Sequence, residues 1–155
     1  MNERFRHFIE QLDVQFKRLK LMDPVKVSNL PRLMPTSGIY LFSERNHHLY
    51  VGRSNRLRTR IQEHSRPSSG HNSAPFAFLL TRYKLGLTKA SYQFNGSRFE
   101  LEKDPKFAEE FTKSKDRVRR MDIQYVEEND QMKQALLEMY VAIALHTKYN
   151  DFDTH

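Results

Sequence analysis

The chain contains no cysteine, only five glycines and six prolines, and no apolar run approaching the roughly 20 residues that cross a bilayer. Without thiols there are no disulfides, iron–sulfur clusters or thiolate zinc sites, so any metal must be held by oxygen or imidazole. The histidines do not form a convincing zinc set. His47 and His48 are adjacent and face opposite sides of a strand, and His64 and His71 have no partners at ligand spacing. The N-terminus lacks a signal-peptide core and cleavage site, so a soluble, cytoplasmic protein with no membrane partner is expected. Few glycines and prolines, with 38% hydrophobic and 12% aromatic residues, exclude a disordered chain. No internal repeat is visible, and 155 residues suit a single domain, 1–155, rather than a catalytic domain plus an independent module.

What is abundant is positive charge. Twenty-six Lys and Arg against 19 Asp and Glu give a formal charge of +7, which suits a polyanionic partner without separating nucleic acid from a membrane surface.

From Asn2, a plausible N-cap, Phe5, Phe8, Ile9, Leu12, Phe16 and Leu19 form one helical stripe, stopped at Asp23-Pro24. Pro31 and Pro35 mark an irregular lead-in, so residues 1–35 form an N-terminal helix and approach. Ile39–Phe42 and His48–Val51 read as a hairpin around the polar residues 43–47. An odd loop centred on Arg45 places Tyr40 and Tyr50 directly opposite on one face, and an even loop places them on opposite faces. Ser54 or Asn55 can cap the next helix, where Arg56, Arg60 and His64 recur every four residues on one stripe. Residues 65–75 read as a loop and Phe76–Tyr83 as a short helix ended by Gly86. Asn95-Gly96 suggests a second hairpin within Ala90–Leu101. Asp104-Pro105 starts a helix with Phe107 and Phe111 inward, followed by the basic run Lys113–Arg120. Met121, Ile123 and Tyr125 alternate with Asp122 and Gln124 as in a half-buried strand. Asn129 or Asp130 caps a last helix to about Thr147, apolar on two stripes and therefore expected to be buried, with Glu138 in its middle.

Each polar feature has a bland reading. Paired strand tyrosines usually pack, an arginine-rich stretch from Arg53 to Arg60 usually forms a solvated face, and Glu138 can point outward beside Gln131 and Gln134. Together they carry a pattern. Ser37-Gly38-Ile39-Tyr40, then Leu49-Tyr50-Val51-Gly52, an arginine ten residues after Tyr50, Glu138 within an apolar helix, and Asn150 twelve residues later resemble the GIY-YIG nuclease family. The resemblance covers about residues 36–64 and 131–150. Val51 stands where the motif name has isoleucine, and Arg53 where lysine is frequent.

The resemblance implies an α+β domain with a small, mostly antiparallel central sheet flanked by helices: hairpin and arginine helix in 36–64, an insertion in 65–120, strand and glutamate helix in 121–150. It implies a DNA endonuclease in which Glu138 holds one Mg²⁺ or Mn²⁺, Arg60 stabilises the phosphate, Tyr40 or Tyr50 activates water, and Asn150 orients its neighbours. A tyrosine with its ordinary pKa near 10 is a poor base at neutral pH, so a nearby cation such as Arg53 or Arg60 has to lower it. Arg53, Arg56 and His64 are candidates for contacting nucleic acid, His64 having a solvent-facing alternative. The interval from Arg60 to Glu138 is about twice that of a minimal family member, which makes the insertion a candidate for substrate selection or an extra covering layer. A homodimer would favour double-strand cutting. The rival function is a nucleic-acid-binding protein that no longer cuts.

Overall fold

The computed structural model describes residues 1–87 and 98–152. Its elements are α1 (Glu3–Leu21), a 3-10 turn (Val27–Asn29), β1 (Gly38–Glu44), β2 (His47–Ser54), α2 (Leu57–Glu63), α3 (Pro75–Lys84), α4 (Arg98–Lys103), α5 (Pro105–Arg119), β3 (Asp122–Glu127) and α6 (Gln131–Leu145). The strands make one antiparallel sheet in the order β2-β1-β3, flanked by helices, which is the expected α+β class. No helix among the described residues is long and apolar enough to cross a membrane. The chain divides into two compact units, residues 1–59 with 121–155, and residues 60–120, the boundary falling inside α2.

In the first unit, the Asn2 side chain caps α1 by accepting from the Phe5 N–H at 3.1 Å. The expected stripe is buried only from its second turn onward. Leu12 and Leu19 join Ile39, Leu41, Val51, Val126, Leu137 and Val141 in one core, whereas Phe5 remains exposed. Burying a leucine of this kind contributes about 1.5–3 kcal/mol, so α1 and α6 are held to one face of the sheet chiefly by these side chains.

The hairpin differs from both simple expectations. Its loop has only two residues, Arg45 and Asn46, with φ of 52° and 66°. That is the left-handed pair a tight hairpin turn requires, and asparagine tolerates it well. An even loop alone would separate the tyrosines. However, the register runs Glu44↔His47 and Ser43↔His48, then jumps to Phe42↔Tyr50, leaving Leu49 as an extra residue. This bulge restores parity: Tyr40 pairs with Gly52 and Phe42 with Tyr50, so the tyrosines share a face as diagonal neighbours rather than direct partners.

Two further expectations need correction. Gln124, expected on a polar face, pairs with Leu41 and is buried on the helix-covered side, where its amide donates to the carbonyls of Lys20 and Met22 at the end of α1. A polar residue is accommodated there because it satisfies carbonyls that the helix terminus leaves over. Helix α6, capped by Asp130, which accepts from the Lys133 N–H at 2.9 Å, is not buried on both apolar stripes. Met132 and Ile143 are 72% and 68% exposed, while Gln134 is buried. The helix therefore turns a polar stripe, Gln131, Gln134 and Glu138, toward the β2 side and leaves part of its apolar surface outward.

The second unit has its own aromatic core, with Phe78 against Phe107 and Phe111 at centroid separations of 5.0 and 5.7 Å. Asp104 caps α5 through the N–H groups of Lys106 and Phe107. Lys115 is buried, and its ammonium donates to the carbonyls of Pro67 and Ser69 at 2.6 and 2.9 Å, tying down the 65–75 loop. The basic run is therefore not uniformly a free cationic face; Arg120 also pairs with Asp116 at 2.8 Å. Of the hairpin expected over Ala90–Leu101, residues 90–97 lie outside the described residues, and residues 98–101 are helical.

Candidate active site

The first unit brings five of the expected residues, Tyr40, Tyr50, Arg53, Glu138 and Asn150, to one strand, β2. Tyr40 is 2% exposed, and a side chain at Gly52 would overlap its ring and hydroxyl oxygen, so the phenol lies directly over the Gly52 backbone. A glycine inside a strand pattern marks such close approach. Tyr50, on the same face, is half-buried.

β2 is an outer strand, and polar groups cover its free edge. The Tyr149 N–H donates to the carbonyl of Leu49 at 3.0 Å. The Asn150 side chain pairs with Val51 twice, accepting from its N–H and donating to its carbonyl, both at 2.8 Å. Asn150 thus substitutes for one residue of a neighbouring strand, satisfying groups that an open edge would leave unmatched. Two residues further along the same edge, the Arg53 N–H hydrogen-bonds the Glu138 carboxylate. Burial pushes the Glu138 pKa above the usual carboxylate range, and the charge and N–H of Arg53 pull it back.

Helix α6 is fixed over this edge by a second network. Asn55 donates to Gln131 at 3.0 Å and accepts from the amides of Gln131 and Gln134 at 2.8 and 2.9 Å; Gln134 also donates to the Glu128 carbonyl at 2.7 Å. These residues orient the turn of helix that carries Glu138. No family model, curated protein or solved structure matches this chain.

Arg53 and Arg56 are exposed, as phosphate contacts would need. Arg60 belongs to the second unit, where its Nη1 donates to Glu63 and the Ser73 carbonyl, each at 3.2 Å. His64 corrects both sequence readings. It is fully buried, and burial first, then the nearby Arg60 charge, lowers its pKa to about 3. A neutral buried imidazole offers nothing to a phosphate and does not face solvent.

Among the described residues no group of three or more His, Asp or Glu could enclose a metal. The donor relevant here is a single one: the Glu138 carboxylate, a hard oxygen ligand beside a strand edge, is the kind of group Mg²⁺ or Mn²⁺ uses while retaining positions for phosphate and water. The sequence named Gly52 within the motif, Asn55 as a helix cap and Gln134 as an outward residue, but not the roles the structure gives them, and it did not indicate the Leu49 bulge. Gly52, read from the sequence as the end of the strand, lies inside β2, and an isolated glycine in a strand pattern is the signal for close approach.

Proposed function

We propose that the protein is a divalent-metal-dependent endonuclease that hydrolyses DNA phosphodiester bonds at the β2 edge. The reading extends the resemblance of Tyr40, Tyr50, Arg60, Glu138 and Asn150 to GIY-YIG nucleases. One observation carries it. The Tyr40 hydroxyl lies over Gly52 and the Glu138 carboxylate accepts from the N–H of Arg53, so the base and metal-ligand candidates each touch β2, at consecutive residues.

In this reading Tyr40 or Tyr50 takes a proton from the attacking water, whose oxygen bonds to phosphorus as the 3′ oxygen leaves. A Mg²⁺ or Mn²⁺ ion on Glu138, when bound, supplies positive charge to the phosphate and the departing oxygen. Asn150 holds Val51, and with it the strand that carries both Tyr50 and Gly52. Arg53 and Arg56 contact flanking phosphates; a phosphate role for Arg60 rests on the family resemblance alone. The Arg60–Glu63 pair is what favours a second reading, a nucleic-acid binder that does not cut, since it occupies the guanidinium.

Incubating the protein with supercoiled, linear and branched DNA in Mg²⁺, Mn²⁺ or EDTA tests the proposal. Cleavage is expected only with metal, and Glu138→Ala is expected to slow it by about 10²-fold or more. Cutting that survives both chelation and the substitution contradicts the mechanism, and salt-sensitive binding without cutting supports the second reading.

A further inference from the structure

Tyr40 has another tyrosine beside it on the same sheet face. Tyr125 pairs directly with Tyr40 across β1 and β3 and is half-buried. It also lines a cavity of about 390 Å³ at the outer edge of β3, together with Gln15, Arg18, Pro35, Val126 and Glu127. That volume lies in the range of small-ligand pockets, about 300–1,000 Å³, and suits a single nucleotide.

The lining suits such an occupant. Tyr125 and Pro35 provide apolar surface, one of them an aromatic face. Polar groups at the rim are already positioned: Arg18 donates to the Gln15 side-chain oxygen at 3.1 Å, and the Gln15 amide donates to the Glu127 carbonyl. Arg58, in α2, is fixed by donating to the carbonyls of Pro31 and Arg32. Burial raises the Tyr125 pKa and the Arg58 charge opposes it, which places that charge within electrostatic reach of the phenol. An aromatic platform with a hydrogen-bonding rim and the Arg18 guanidinium in its lining matches a base with its phosphate.

We propose that this cavity binds one unpaired nucleotide, its base stacked on Tyr125 and its phosphate paired with Arg18, and that it directs the protein to DNA carrying flaps or bulges rather than plain duplex. A paired base would first have to be unstacked, at a cost of a few kcal/mol, whereas a flap presents it without that cost. The inference deepens the nuclease reading by naming its substrate class, and it rests on that reading for the cleavage step after binding.

The test is metal-free binding, in EDTA, of a labelled duplex with a single-stranded flap and of the matched plain duplex, read by fluorescence anisotropy with the full chain. Wild type is expected to bind the flapped DNA more tightly. Tyr125→Ala should weaken flap binding about ten-fold or more and leave duplex binding unchanged, and Tyr125→Phe should retain the preference. Arg18→Ala, at an exposed helix position, should weaken flap binding and flatten its salt dependence. Equal wild-type affinity for the two DNAs, or flap binding unaffected by Arg18→Ala, overturns the proposal even if Tyr125→Ala fails to fold. A protein that prefers flaps but never cuts sinks the nuclease reading alone, and one that cuts with no flap preference sinks this inference alone.

Discussion

At Gly52 the packing of Tyr40 meets the chemistry proposed for it. A methyl group there overlaps the phenol, so Gly52→Ala has to swing the ring aside. The variant is expected to stay folded, lose about 1–3 kcal/mol in urea unfolding, and cut no faster than Tyr40→Phe; wild-type cleavage by Gly52→Ala would remove Tyr40 from the site. Gly38→Ala is a different case, since its added carbon meets the Val126 carbonyl, a backbone group that cannot rotate away. His64 makes a pH prediction. The unfolded chain protonates it near pH 6.5 and the folded chain only near 3, so the unfolded state binds the extra proton between those values. Stability should therefore fall on acidification below 6.5 by about 1.4 kcal/mol per pH unit. Glu138, raised by burial, acts in the opposite direction, and His48, lowered by burial, in the same one. Urea unfolding at pH 7 and pH 5 should show wild type losing about 2 kcal/mol more than His64→Gln, and equal losses would contradict the burial of that ring. A four-residue spacing with Arg56 and Arg60 suggests a helix stripe, but α2 spans only Leu57–Glu63, and the spacing does not register that His64, just past its end, is enclosed.

At the scale of elements, the edge of β2 depends on the C-terminal segment. Asn150→Ala removes two hydrogen bonds from Val51 and should cost about 1–3 kcal/mol. The amide of Val51 should exchange slowly in wild type and rapidly in the variant; unchanged protection would mean that the clamp is not what closes the edge. Helix and strand identities were largely legible, because the Leu12–Leu19 and Leu137–Val141 spacings follow from one-sided burial and the continuous run Ile39–Phe42 from burial of β1 on both faces. The shared face of Tyr40 and Tyr50 was not. It requires a two-residue turn and one extra residue at Leu49, and parity arguments cannot supply a bulge. The orientation of α6 was also hidden. Its polar stripe turns inward to meet Asn55 and the strand edge, contacts about 80 residues away in the chain that periodicity does not register.

For the molecule as a whole, the excess of basic residues and the proximity of Tyr40, Glu138 and Asn150 along β2 belong to one account of a phosphodiester at a cationic edge. Arg53→Ala and Arg56→Ala should each weaken DNA binding about equally across sequences and reduce the slope of log K against log salt by about 1, measured by anisotropy in EDTA. A slope unchanged in both variants would place the DNA elsewhere. The family resemblance, carried by five positions, was readable only because residues far apart in sequence were taken together; Glu138 alone reads as a surface residue, and Asn150 alone as a turn. The most direct test of the account is nicking of supercoiled plasmid by wild type and Glu138→Gln, each verified as folded by circular dichroism. Metal-dependent nicking that Glu138→Gln abolishes is the predicted result, and nicking at equal rates by the two proteins, or by neither, would contradict it.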